Sequence, residues 1–184
     1  MSFLTRNRLI GLAIAAMVFA LDRWVKWLMV GPLDLRNQPG GKIDLLPFFD
    51  LTWTQNFGVS YGMFTADSME MRWILVAVTL LIALVVLVWM MRERKLADIA
   101  ALALILGGAF GNIRDRSYYG YVIDYADFHI GTLRPFQIFN IADAAITIGV
   151  VIILARSLFL REKHDKESDT SDQDPAPDEA AETN

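Results

Sequence analysis

Three aspartates, Asp124, Asp127 and Asp143, are the residues of this chain best suited to chemistry. Asp143 sits in the apolar run 138–154, IFNIADAAITIGVVIIL, which reads as the start of a membrane-crossing helix. A charge at the bilayer centre costs roughly 2.5–3.5 kcal/mol, and less near the interface, so such residues usually face protein or a wet cavity and do work. Asp124 and Asp127 lie in the segment that feeds this helix. Paired carboxylates at a membrane face suit hydrolysis of an amide. One accepts a proton from water and the other gives one to the leaving group. Two close carboxylates repel, so one keeps its proton to a higher pH than a free Asp, and the pair titrates as a unit. Spacing does not decide which two of the three meet. Asp143 has the fewest bland explanations, because a lone carboxylate in a span is costly.

Other polar residues have competing readings. Asp22 and Lys26 are four apart and share a helix face in the favourable acid-first order. With Arg23 beside them, they are expected to form a buried pair that supports a polar site rather than performs the reaction. Ser60 with Lys26 as its base is a weaker alternative, since an activated nucleophile needs geometry that spacing does not supply. The segment 107–116, GGAFGNIRDR, offers glycines for close helix packing and then Asn112, Asp115 and Arg116. Asp115 among arginines reads as a salt-bridge partner. His129 near Asp127 makes a poor metal site, with one imidazole and scattered acids. The chain has no cysteine, which removes thiolate nucleophiles and disulfides. It has no HExxH helix, no GxSxG elbow, no phosphate-cradling glycine loop and no basic, aromatic-interleaved surface for nucleic acid. No cofactor is expected.

These residues must be positioned by membrane elements. The 184 residues are 54% hydrophobic with a mean hydropathy of +0.36, which suits a small membrane protein. Four apolar segments, about 9–29, 72–91, 96–113 and 138–160, are each near the ~20 residues that cross the hydrocarbon core. The expected class is an all-α membrane protein of four transmembrane helices with a small extracytoplasmic sheet. The third span is the shortest, ends in Gly107, Gly108, Gly111 and Asn112, and is expected to stop inside protein rather than in lipid. The first is expected to be a retained anchor, not a cleaved signal. Basic residues before span one (Arg6, Arg8), between spans two and three (Arg92, Arg94, Lys95) and after span four place both termini and the short connection in the cytoplasm. The segments 30–71 and 114–137 then face outward. In KIDLLPFFDLTWT, apolar residues share one parity, predicting one or two strands broken at Pro47, with the apolar face on lipid. From Glu162 onward nine acids stand against Lys163 and Lys166. This acidic tail, 162–184, is expected to be disordered. Residues 1–161 are expected to form one transmembrane domain.

Taken in order, NFGVSYGMF, GGAFGNIRDR, YVIDYADFH and FNIADAAI, with the Asp22/Lys26 element ahead of them, resemble lipoprotein signal peptidase (signal peptidase II) over about residues 10–155. The resemblance implies an intramembrane aspartyl protease of the bacterial inner membrane. Such an enzyme removes the signal peptide of a prolipoprotein before a diacylglyceryl-modified cysteine, at the periplasmic face. It implies Asp124 and Asp143 as the catalytic acids. Asp22, Lys26, Asn56, Gly58, Gly108, Asn112, Asp115, Arg116, Asn140 and Ala142 would shape the site and hold substrate. Membrane lipids as surroundings and inhibition by globomycin are implied in the same way. A proton or ion channel would need a polar line across the whole bilayer, and here the polar groups gather near one side. A scaffold whose buried charges only specify assembly would make neutral Asp143 change oligomerisation alone.

Overall fold

The computed structural model describes residues 5–58 and 69–171, with side chains described as far as 158. Ser60, Gly62 and the tail from 172 onward lie outside the described residues. The element order is α1 (Arg6–Val30), two 3-10 turns (Leu35–Asn37 and Pro39–Gly41), β1 (Lys42–Leu46), β2 (Phe49–Asn56), α2 (Met69–Arg92), α3 (Leu96–Tyr119), β3 (Val122–Phe128) and α4 (Ile141–Ser171).

Helix α3 is the hub and packs against α1, α2 and α4. Helix α2 buries only Val76, Ala83 and Met90, one residue every seven, and leaves Trp73, Ile74, Leu81, Val85 and Trp89 exposed. A helix apolar all round with one narrow packed seam is built for a lipid environment. Helices α2, α3 and α4 as far as Leu158 are long and apolar enough to cross a membrane. Helix α1 has 25 residues, but Asp22, Arg23 and Lys26 interrupt its apolar run. Length and hydropathy therefore mark three spans among the described residues, where four were expected.

Two expected boundaries move. Helix α3 does not stop at its glycines but continues to Tyr119, ending on Gly120 in the left-handed conformation (φ 89°). The glycines are packing sites: a Cβ at Gly107 would lie 2.6 Å from the Ala15 carbonyl, and one at Gly111 would lie 2.6 Å from Asp22 Oδ2. Close backbone approach, rather than helix termination, is their use. Helix α4 runs on to Ser171, so the first ten residues of the segment expected to be disordered are helical.

Of the one or two strands expected, two form, and the break falls at Pro47. Strands β1 and β2 pair antiparallel, and β3, expected as part of a loop, adds as a third antiparallel strand next to β2. Most of the sheet's apolar face is taken by protein rather than lipid. Ile43, Phe49, Leu51 and Trp53 cluster with Val25, Leu28 and Met29 of α1, with Leu35 of the first 3-10 turn, and with Tyr125 and Ala126 of β3. Leu45, Leu46 and Phe48 at the hairpin turn stay exposed.

Candidate active site

The site is built where β3, α4 and the last turns of α1 and α3 converge. Asn140 precedes α4, and its Oδ1 accepts the Asp143 N–H at 2.9 Å, while the Asn140 N–H donates back to Asp143 Oδ2 at 3.3 Å. This reciprocal pair has the logic of a capping box and places Asp143 in the first turn, where the helix N-terminus favours negative charge. The same Asn140 turns its Nδ2 to Asp124 Oδ1 at 2.6 Å. One residue thus holds both carboxylates. Asp124 Oδ2 accepts from Asn56 Nδ2 at 3.0 Å, and Asp143 Oδ1 from Asn112 Nδ2 at 2.7 Å.

Asp124 is buried on β3 and Asp143 is half-buried. Burial, with the nearby negative charge of Asp143, pushes the Asp124 carboxyl up to about 7, against the pull of its amide hydrogen bonds. Asp143 opens onto a groove of about 440 Å³ lined by Phe128, Phe136, Gln137, Phe139 and Thr147.

Beneath the carboxylates lies a buried charge cluster. Lys26 Nζ reaches Asp22 Oδ2 at 2.9 Å, Asp115 Oδ2 at 2.7 Å and Asn112 Oδ1 at 3.5 Å. Arg23 adds a 2.5 Å pair to Asp115. The expected Asp22–Lys26 pair and the salt-bridge role of Asp115 are therefore both present. The cluster is tied to the site itself: Asp22 Oδ1 accepts the Ala142 N–H at 3.3 Å, and Asn112 links Lys26 to Asp143. A Cβ at Gly108 would collide with the Ala142 carbonyl oxygen, so only glycine lets α3 approach α4 here. Gly58, at φ 82°, faces Arg116, whose Nη2 would lie 3.3 Å from an added Cβ. The Arg116 Nε is buried with no hydrogen-bond partner among the described residues.

The twelve positions marked by the sequence resemblance thus gather at one end of the bundle. Asp127 is used differently: its oxygens accept from Thr52 Oγ1 and Arg134 Nε, each at 3.0 Å. His129 pairs with Asp50 at 2.6 Å, and Lys42 reaches Asp50 at 2.7 Å. These bonds, that of Lys42 first, hold the Asp50 carboxyl below its usual range. Sequence reasoning missed Tyr125, whose hydroxyl accepts the Ile141 N–H at 3.3 Å and so steadies the start of α4. It also missed Arg72, which donates from Nε to the Arg116 carbonyl at 2.7 Å and from Nη2 to that of Ser117, capping the end of α3. A basic residue at a helix C-terminus was a readable signal for Arg72 only once the end of α3 was known.

A helical bundle with a small sheet over a polar cluster containing paired acids defines a class, that of membrane-embedded hydrolases. A solved structure of a bacterial membrane enzyme superposes with a TM-score of 0.69 at 28% identity, covering 81% of this chain and 92% of that one. The family model for signal peptidase (SPase) II matches residues 14–159. The lipoprotein signal peptidase of Sphingopyxis alaskensis is 54% identical over 83% of this chain and 87% of its own length. That of Rhizorhabdus wittichii is 50% identical over 85% and 90%. This chain belongs to the signal peptidase II family and is a peptidase of signal peptides.

Proposed function

We propose that this chain removes signal peptides from bacterial prolipoproteins immediately before a diacylglyceryl-modified cysteine, using Asp124 and Asp143 as its catalytic acids. The observation that carries the reading is the single asparagine, Asn140, bonded to both carboxylates. Asp124, pushed up to about 7, holds the shared proton. Asp143, at the helix N-terminus and open to the groove, takes the base's place. Water gives a proton to Asp143 while its oxygen attacks the scissile carbonyl carbon. Asp124 gives its proton to the carbonyl oxygen, forming a neutral gem-diol. Collapse breaks the C–N bond, with one proton passing to the amine nitrogen and the other returning to the acid pair. Asn112 and Asn140 already donate to the carboxylates. Arg116, whose Nε has no partner among the described residues, is the donor left to polarise the scissile carbonyl as negative charge builds on its oxygen before protonation.

Helix α1 is the fourth span, its charges neutralised by Asp22–Lys26 and Arg23–Asp115. The basic ends of the helices lie together away from the carboxylates: Asn7 Nδ2 bonds the Arg94 carbonyl at 3.1 Å, and Arg156 pairs with Asp98 at 2.5 Å. That distribution supports cytoplasmic termini and a periplasmic site in the inner membrane. The exposed apolar helix faces meet membrane lipids, and the substrate's acyl chains stay among them. A globomycin-like cyclic peptide would block the same site.

The test uses purified protein in detergent and a synthetic precursor bearing the diacylglyceryl cysteine. Wild type is expected to release the signal peptide, and Asp124→Asn and Asp143→Asn to abolish release while remaining folded. Wild-type rates from either variant would defeat the assignment.

A further inference from the structure

We infer that Arg134 is a positioning residue for substrate binding, acting through Asp127 on the segment that walls the groove beside Asp143. The inference rests on the proposed function, in which this groove receives the precursor. Chain geometry carries it. After β3 the chain leaves the sheet at Phe128, turns through Gly131 at φ 61° and returns so that Phe139 bridges back to Ala126. Three backbone bonds close this loop: Tyr125 N–H and Ala126 N–H donate to the Phe139 carbonyl at 3.1 and 2.8 Å, and Phe139 N–H donates to the Ala126 carbonyl at 3.1 Å. The next residue is Asn140, and α4 begins at once. Phe136 and Gln137, on the returning limb, line the groove with Phe139 and Asp143.

Between Phe128 and Phe139 the outgoing limb is tied to the hairpin at His129, whose N–H donates to the Phe48 carbonyl at 3.1 Å and whose ring pairs with Asp50, and the loop pairs with itself at Ile130 and Leu133. On the returning limb the described side-chain tie to the sheet comes from Arg134. Its Nε donates to Asp127 Oδ1 at 3.0 Å, while Asp127 Oδ2 accepts from Thr52 on β2. Asp127 is fully buried, so its carboxylate is a fixed anchor in the sheet, whereas the Arg134 side chain is 55% exposed. An exposed ion pair contributes little to stability. A half-exposed arginine on a fully buried carboxylate instead fixes the place of the loop that carries it. Two residues further on stands Phe136, 66% exposed at the groove wall. Freeing Arg134 lets that wall move without touching the carboxylates or their amide partners.

The expected effect is on KM. In detergent, with the lipid-modified precursor, Arg134→Ala is expected to raise KM about 10-fold while kcat stays within about 3-fold, the pattern of a lost binding contribution. Arg134→Lys should return KM to within about 3-fold of wild type. Asp127→Asn should raise KM by a similar factor, and the double variant should be no worse than the worse single one, since both remove the same tie. A purely structural role would lower the active fraction, and so kcat, at unchanged KM. A wild-type KM in Arg134→Ala, or additive losses in the double variant, would overturn the inference and leave the proposed function standing. A wild type unable to cleave the precursor would overturn both. If Arg134→Ala does not fold, Arg134→Gln is measured in its place. Loss of the fold in both variants would make the pair a fold determinant and refute the positioning role.

Discussion

Replacing Asp124 by asparagine should abolish cleavage and, above neutral pH, make the protein more stable. The carboxyl is 1% exposed, and burial with the charge of Asp143 raises it from 3.8 to about 7. Between those values the folded protein holds a proton that the unfolded chain has lost. Wild-type stability is therefore greatest at low pH with respect to this group, and is lost as pH rises through about 7. The full penalty is about 4 kcal/mol, at about 1.4 kcal/mol for each pH unit that separates the two values. Somewhat more than half of it develops between pH 5 and 8.5. The amide has its own cost. Both Asp124 oxygens accept from amide nitrogens of Asn56 and Asn140, so an NH2 would face a donor, at about 1–3 kcal/mol independent of pH. The two effects nearly cancel at pH 5, and the variant gains above pH 7. At roughly 2–4 °C per kcal/mol, its melting temperature relative to wild type should rise by roughly 5–10 °C from pH 5 to 8.5. The assay is thermal unfolding of both proteins in one detergent, followed by intrinsic tryptophan fluorescence, at half-unit steps of pH. All other titrating groups are common to the two chains, so the difference isolates Asp124 together with its coupling to Asp143. A difference flat in pH, or one falling as pH rises, would refute the raised carboxyl and with it the proton donor.

The alkaline limb of the cleavage rate should fall as pH rises through about 7, when Asp124 loses the proton it must give; a kcat flat from pH 6 to 9 would contradict this. Lys26→Met leaves Asp22 and Asp115 buried with one cation fewer, and should cost about 3–5 kcal/mol in detergent unfolding. Adding Asp22→Asn should recover much of that loss, because the uncompensated charge goes with it. Gly108→Ala drives a Cβ into the Ala142 carbonyl and to 2.9 Å from Ile146 Cγ1. It should cost about 1–3 kcal/mol. Cleavage should fall at least about tenfold, because the 2.7 Å Asn112–Asp143 bond spans the same gap between α3 and α4.

Periodicity made the helices legible. Runs of apolar residues close to bilayer length located α2, α3 and α4 to within a few residues at their starts. The ends were harder for physical reasons. Gly107, Gly108 and Gly111 were legible as packing positions, and each meets a neighbouring helix backbone, side chain or both, but the same glycines also look like a terminus in one dimension. Helix α1 shows the converse. Its three charges lower its hydropathy, and their meaning depends on Asp115, 89 residues beyond Lys26. Asp143 stood out because a carboxylate at the head of an apolar run is costly unless used. Its bonds to Asn140 also give it an ordinary capping role, which the resemblance alone would not have shown.

Asp124 was least readable, because β3 has no alternation to find. VIDYADF is buried over its first six residues, so polar and apolar side chains both face protein. Its meeting with Asn56 depends on a fault in β2. Leu51 pairs with Ala126 and Thr54 with Asp124, so three steps on β2 match two on β3. Strict alternation from Leu51 would turn Gln55 toward the face of Asp124 and Asn56 away from it. The extra residue reverses the parity, and Asn56 Nδ2 reaches Asp124 Oδ2 at 3.0 Å. Bulges re-aim side chains in this way next to active sites. One inserted residue in β2 therefore supplies the second amide that orients the buried acid. Asn140 supplies the first, and the two strap Asp124 from opposite sides, leaving Asp143 as the carboxylate that opens to the groove.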